Sequence, residues 1–424
     1  MTLKKYLANT GWLFLEKILR LLVTLTVWAW IIRYLGPEQF GMFSYALSFV
    51  FLFGMLADLG METVLVKDLL ERPGQRAQIM GSAFVLRMTG ATAACVLIAV
   101  SFYFLAQAPL IMVMTAIIAL RLFFAAFNNI DSFFQSKVAS KYTVYSQLMS
   151  LLSTCVLAPL FILSRKPLVY FVLLVVLEAV VAAAGFVFFY RRLHGDRWVF
   201  NTAVARDLLL RSWPLVVSGF AIAVYMRIDQ VMIKHMLGDA AVGQYAVAVR
   251  VSEAFYFIPM VVTASLFPAI VKAKAKGERV YEDRLTALNS LLIWISLGMV
   301  AVFCIWGKTM VEALFGPTYL PAAGVLMLNI WASVFVFLGV LRSKWAINEN
   351  AQNLVMAYTV LGALTNVFLN LLWIPLWGIK GAAMATVVAY FFAAVFSNVL
   401  HPKTRPMFFL QLRAFNPVHV FRYR

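Results

Sequence analysis

The chain has 424 residues, 63% of them hydrophobic and 13% charged, with a mean hydropathy of +0.87. Soluble domains are nearer half apolar and a quarter charged, so a water-soluble globule is excluded and a bilayer must cover what no interior can hide. The formal net charge of +18 would point to nucleic acid in a soluble protein, but its placement along this chain gives it another meaning.

Lys4 and Lys5 precede an apolar stretch of full membrane length with no small-residue cleavage site, which reads as a first span rather than a leader. Windows of roughly 20 apolar residues place spans near 11–32, 41–65, 79–104, 109–134, 142–163 and 168–190. A second series lies near 209–233, 242–270, 286–306, 322–341, 353–374 and 379–399. The connections are short except Arg191 to Arg211 and Lys272 to Arg284. The expected organisation is an all-α integral membrane protein of about twelve helices. Residues 1–190 form one six-helix lobe, 191–208 a cytoplasmic linker, 209–400 a second six-helix lobe and 401–424 a basic cytoplasmic tail.

On this layout 24 of the 36 basic residues fall on the side of the N-terminus, Arg342 among them in the loop after the tenth span, and six on the other side. The excess puts both termini in the cytoplasm and removes the need for nucleic acid. The tail combines Lys403, Arg405, Arg413, Arg422 and Arg424 with Phe408, Phe409, Phe415, Phe421 and Tyr423. It suits either a segment lying on anionic lipid or a solvated positive-inside tail. Cys95, Cys155 and Cys304 sit in apolar runs without metal-ligand spacing, so neither a disulfide framework nor a metal or other cofactor is expected.

A repeat joins the halves. Leu35-Gly36-Pro37-Glu38-Gln39-Phe40-Gly41-Met42-Phe43 and Leu237-Gly238-Asp239-Ala240-Ala241-Val242-Gly243-Gln244-Tyr245 share L-G-x₄-G-x-[FY], each between the first and second spans of its half. Gly36 and Gly238 suit helix C-caps, and Gly41 and Gly243 let the next helix begin close by. Six spans separate the copies, so both run the same way. Parallel repeats imply two lobes related by a pseudo-two-fold along the membrane normal, with a cavity between them.

Six basic residues fall within spans: Lys17, Arg20, Arg87, Arg121, Arg227 and Arg250. A charge at the bilayer centre costs at least about 2.5–3.5 kcal/mol, so each needs snorkelling or a wet cavity. Lys17 and Arg20 lie within snorkelling reach. At roughly 1.5 Å per residue, Arg87 and Arg250 lie about 12 Å deep and Arg121 about 18 Å. Glu16 with Arg20, and Arg250 with Glu253, have the spacing of structural ion pairs. Arg227 and Asp229 point apart and need separate partners. Asp131 is expected at the interface, and Glu178 is either protonated or paired across helices. Pro214, Pro259 and Pro268 interrupt the seventh and eighth spans as hinges or as static kinks.

The run Arg33 to Phe49, with Asp58-Leu59-Gly60-Met61-Glu62 and Val66-Lys67-Asp68, resembles the N-terminal signature of O-antigen flippases. Those belong to the polysaccharide-transporter branch of the multidrug/oligosaccharidyl-lipid/polysaccharide superfamily. Arg227-Ile228-Asp229-Gln230 with Leu237 to Glu253 resembles both these and the lipid II flippases. Ile374-Pro375-Leu376-Trp377-Gly378-Ile379-Lys380-Gly381 is similar to the superfamily's last-span motif. The lipid II flippases usually carry two further C-terminal helices, and about twelve spans here favour the O-antigen type.

The resemblance implies a flippase of the bacterial inner membrane, not an enzyme. Its cargo would be an undecaprenyl-diphosphate-linked oligosaccharide, moved by alternating access from the cytoplasmic to the periplasmic leaflet. Membrane lipids, a polysaccharide polymerase and chain-length components are the implied partners. Lys17, Arg20, Arg87, Arg121, Arg227 and Arg250 are then the expected contacts for the anionic head group. Glu178, Asp229 and Glu253 are expected to couple an ion, and Trp28, Trp30, Tyr225 and Tyr256 either stack on sugars or face lipid. A multidrug or cation exporter of the same superfamily, or a lipid II-type flippase, is the alternative, though such exporters centre on intramembrane carboxylates. A polymerase or ligase would need a larger outer loop than Gly307 to Pro321.

Overall fold

The computed structural model describes residues 3–105, 107–193 and 197–418. Within them the chain is helical, because backbone in hydrocarbon must satisfy its own hydrogen bonds and a helix does so within one segment. It divides into two compact units, Met1–Ala223 and Val224–Arg424.

The first unit holds α1 (Leu3–Leu25), α2 (Val27–Asp58), α3 (Glu62–Glu71), α4 (Arg76–Leu105) and a broken span of α5 (Pro109–Ala119), α6 (Arg121–Ala125) and α7 (Asn129–Ser136). It continues with α8 (Lys141–Leu163), α9 (Leu168–Leu193) and the start of α10 (Thr202–Leu237), within which the boundary between units falls. The second unit contains α11 (Asp239–Glu253), α12 (Phe257–Ala273), α13 (Glu278–Phe315), α14 (Leu320–Asn329), α15 (Ala332–Asn348), α16 (Gln352–Ala394) and α17 (Arg405–Arg413).

Nine stretches of the described residues are long and apolar enough to cross a membrane, and α14 with α15, bent by 44°, makes a tenth. The number reaches twelve because two stretches are hairpins whose helices abut. Phe14–Glu71 turns at Gly36, and Gln352–Val399 turns at Gly378. Gly36 (φ 68°, ψ 172°) and Gly238 (φ 87°, ψ −178°) adopt nearly the same backbone, in a region open essentially to glycine alone. The repeat seen in the sequence is thus a repeated joint. Each glycine is the whole connection, since the next helix starts at Pro37 or Asp239; Gly41 and Gly243 therefore lie inside helices rather than opening them.

Two polar segments differ from expectation. The stretch between α9 and α10 is short, because Asn201 caps α10 by accepting from the backbone N–H groups of Ala203 (2.9 Å) and Val204 (3.2 Å). Val199 N–H donates to the Ala77 carbonyl and Asn201 N–H to Ser82 Oγ, so the chain here is stitched to the start of α4. Of the tail, Phe421, Arg422, Tyr423 and Arg424 lie outside the described residues, while 405–413 is a docked helix. Met407 and Leu410 join a core with Tyr281, Leu285 and Trp345, and Gln411 donates to the Ala394 carbonyl. Pro214 and Pro259 lie inside α10 and α12; the side chain of Pro268 is outside the description.

Candidate functional site: a polar cavity in the first unit

α9 packs on α8, and α1 on α8, leaving a space that the broken span α5–α7 closes on a third side. That span is interrupted at Leu120, where the backbone stays right-handed, and passes through a 3₁₀ turn at Ala126–Asn128. Arg121, Phe124, Ala125 and Asn128 are spaced i, i+3, i+4 and i+7 and so share one helix face. That face puts Arg121, Phe124 and Asn128 on the wall of a cavity of about 170 Å³, opposite Arg20, Gln147, Ser150 and Glu178.

Arg20 is held but not consumed. Its Nε donates to Glu16 Oε1 at 2.7 Å and its Nη2 to Gln147 Oε1 at 2.9 Å. Lys17 pairs with the other Glu16 oxygen at 3.1 Å and stays half-exposed, outside the cavity lining. Glu178 accepts from the Thr154 hydroxyl of α8, a partner across helices, and its backbone carbonyl accepts from Ser150 Oγ at 2.8 Å. Arg121 is exposed to this space, and no carboxylate among the described residues hydrogen-bonds to it; Glu178 acts on it only as a nearby charge.

A second cavity of about 120 Å³ shares Asn128 and Gln147 with the first and adds Arg87, Asp58, Glu62 and Asp131. Arg87 is 2% exposed; its Nη2 meets Asp58 at 2.7 Å, while Nε and Nη1 have no protein partner. Asp131 accepts from Thr143 (2.5 Å) and Gln135 (3.2 Å), so it belongs to the cavity wall as well as to the edge of its span. The structure therefore brings Arg20, Arg121 and Glu178 together and sets Arg87 next door.

The second unit is different. Arg227 gives both terminal nitrogens to Glu253, at 2.9 and 2.7 Å. Asp229, two residues on, points elsewhere: it accepts from Tyr245, from Thr386 at 2.7 Å and from Asn370 at 3.4 Å. The space around Asp229, Glu253, Tyr225, Tyr256 and Tyr390 amounts to about 10 Å³, no more than one water needs. Arg250 lies half-buried in the last turn of α11, outside that lining. Of the aromatics, Trp28 is buried against Phe43, Trp30 is exposed, and Tyr225 stacks edge-on with Tyr390.

Some of this was out of reach from sequence. Asn128 and Gln147 carry the walls of both cavities, yet uncharged polar residues in a span draw little notice beside arginines, and Asp58 stands out in the sequence only as part of a motif. Arg342 corrects the expected topology. It is no loop residue: α15 runs on to Asn348, and Arg342 is 4% exposed, donating through Nη1 to the Ala393 carbonyl.

Residues 6–274 match the family model described as polysaccharide biosynthesis protein. The chain belongs to that family. Within it and beyond, the chain is 29% identical over 203 residues to a probable low-salt glycan biosynthesis flippase, Agl15, of Haloferax volcanii, covering 46% of this chain and 41% of the relative. It is 27% identical over 197 residues to a probable flippase, AglR, of the same organism, covering 42% and 38%. The chain thus spans about two-fifths of the length of these curated relatives. Among solved structures, an inward-facing multidrug resistance MATE family transporter of the MOP superfamily superposes with a TM-score of 0.74 at 14% identity, covering 92% of this chain and 95% of that one. The lipid II flippase MurJ, inward closed, superposes with a TM-score of 0.68 at 12% identity, covering 98% and 92%. This polysaccharide biosynthesis family member shares the fold of both.

Proposed function

We propose that this protein is a flippase that carries a polyprenyl-diphosphate-linked oligosaccharide from the cytoplasmic to the outer leaflet of a cytoplasmic membrane, by alternately exposing an arginine-lined cavity. The observation that supports it most is a polar cavity within an apolar helical unit, with Arg20 and Arg121 on its wall. A diphosphate head group cannot shed its hydration into hydrocarbon without replacement. Guanidinium groups supply that replacement as charge-assisted hydrogen bonds, and several partial contacts let the cargo leave again. Relatives named as glycan biosynthesis flippases favour the same cargo class, and the basic excess on one side favours cytoplasmic termini. O-antigen units are one member of that class. Of the three carboxylates, Asp229 suits ion coupling best, being surrounded by neutral oxygen and nitrogen donors rather than by a paired cation.

The test is reconstitution with a fluorescent polyprenyl-diphosphate saccharide whose head-group accessibility is followed across the bilayer. Arg121→Ala should slow movement about tenfold or more while the variant elutes as a folded protein, and Arg121→Lys should restore part of the rate. Wild-type rates from both Arg20→Ala and Arg121→Ala would sink the proposal. A cation exporter is the second reading, favoured by Asp58, Glu62 and Asp131 around the neighbouring cavity. Uptake of a cationic dye with no saccharide movement would select it.

A further inference from the structure

A separate, open groove of about 880 Å³ runs along α9. Its wall is apolar, with Phe124, Phe127, Ala183 and Val187 along it, and at the end of α9 it finishes in Arg191 and Arg192. At about 100° per residue, Val180, Ala183, Ala184 and Val187 occupy the side of α9 away from Glu178, Ala179 and Ala182, which face the arginine cavity. One side chain borders both spaces: Phe124, on α6. It stands where the broken span departs from regular helix, between Leu120 and Asn128.

We propose that this groove holds the isoprenoid chain of a polyprenyl phosphate lipid, with the phosphates at Arg191 and Arg192 and Phe124 marking the passage from the groove to the head-group cavity. The chemistry is complementary at both ends. A lipid-linked saccharide is an apolar chain carrying a phosphate anion, and the groove is an apolar trough closed by two adjacent guanidinium groups. The arrangement also meets the physical need of flipping, because the chain stays in an apolar surface while only the head group enters the polar cavity. This inference rests on the flippase reading for its ligand class.

The test uses the full chain in vesicles of phosphatidylcholine and phosphatidylglycerol, with a polyprenyl monophosphate carrying a diazirine near its chain end. Because the probe has no sugar and need not cross the membrane, its outcome does not depend on transport. After irradiation, peptide mapping should find the label between Val180 and Phe188 and at Phe127. Ala184 is exposed, so Ala184→Trp fills the groove without crowding the core and should cut labelling about tenfold. Arg191→Gln with Arg192→Gln should weaken labelling by the phosphate probe and leave that by the uncharged polyprenol unchanged. Label spread over all lipid-facing helices, displacement by phospholipid in proportion to its abundance, or full labelling of Ala184→Trp would each overturn the groove. So would an Ala184→Trp protein that moves the lipid-linked saccharide at the wild-type rate, and that result would leave the flippase reading standing.

Discussion

Arg227 was expected among the cargo contacts, yet its geometry is that of a structural pair, and the two roles make opposite predictions. Arg227 and Glu253 face each other through two hydrogen bonds, with side chains 20% and 18% exposed. Two unit charges about 4 Å apart attract by about 4 kcal/mol at the effective dielectric of a protein site. Removing one partner of a buried pair typically costs about 3–5 kcal/mol, whereas replacing both by apolar residues is often neutral. Arg227→Met should therefore lower unfolding stability by roughly 3–5 kcal/mol. Adding Glu253→Leu should recover most of that loss, giving a large coupling energy in the double-mutant cycle. The assay is reversible unfolding in mixed micelles titrated with a denaturing detergent, run beside saccharide translocation on all four proteins. A double variant that is stable and still transports confirms that the pair only holds α10 to α11. If Arg227→Met is as stable as wild type but transport is lost, the structural account is wrong and the guanidinium meets cargo.

The glycine joint allows a cleaner test, because a Cβ added at Gly36 meets nothing within 4 Å, so Gly36→Ala costs only backbone strain at φ 68°. A loss of about 1–3 kcal/mol is expected, whereas Gly298→Ala, in equally open space inside α13, should gain about 0.5–1 kcal/mol; equal effects in the same unfolding assay would refute the role of the turn. The connection after α12 should respond to acid. Burial works to raise the Glu349 carboxyl, but hydrogen bonds from Lys274 (2.6 and 2.8 Å), Tyr281 (3.0 Å) and Asn348 (3.0 Å) outweigh it and hold it below its ordinary value of 4.5. Lys274 is raised, first by its hydrogen bond to Glu349 and against its own desolvation. A lowered folded-state value means that the stabilisation is complete above 4.5 and is lost as pH falls through the folded value below it. The stability gap between wild type and Glu349→Gln should accordingly be constant near neutrality and close in that acid range; a gap unchanged in acid would assign it to packing.

What the sequence revealed and what it hid divide along physical lines. The spans were legible because hydrocarbon demands long apolar segments whatever their partners. The joints at Gly36 and Gly238 were legible because few other residues adopt that backbone. Arg227 and Asp229 were correctly expected to part, since residues two apart on a helix face different sides. That Glu253 receives Arg227 from 26 residues away could not be read, because helical spacing constrains only neighbours three and four apart. Arg342 reads as a loop residue in the sequence because a charge at the edge of an apolar window looks the same whether it reaches water or a buried carbonyl. The break between α5 and α7 left no mark either, for the run from Ile111 to Phe127 contains neither proline nor glycine.

The two units use intramembrane charge in different ways, and the difference bears on which residues handle cargo. In the second unit Arg227 has given both terminal nitrogens to Glu253, and one of them also to the Met226 carbonyl, in a space that barely admits water. In the first unit Arg20 divides its donors between Glu16 and Gln147, Arg87 keeps two nitrogens without a protein partner, and Arg121 faces open volume. Uncommitted donors beside a cavity large enough for several waters are what the proposed anionic cargo would need, whereas the same charges in hydrocarbon would be costly to keep. The carboxylates of Glu178, Asp58, Glu62 and Asp131 share the walls of the two cavities with Arg20, Arg87 and Arg121, so the donors there are balanced by negative charge rather than forming an unopposed positive field. On the proposed function, the contacts to the cargo's phosphates are to be sought along α1, α6 and α9, where the arginine cavity and the apolar groove meet at Phe124.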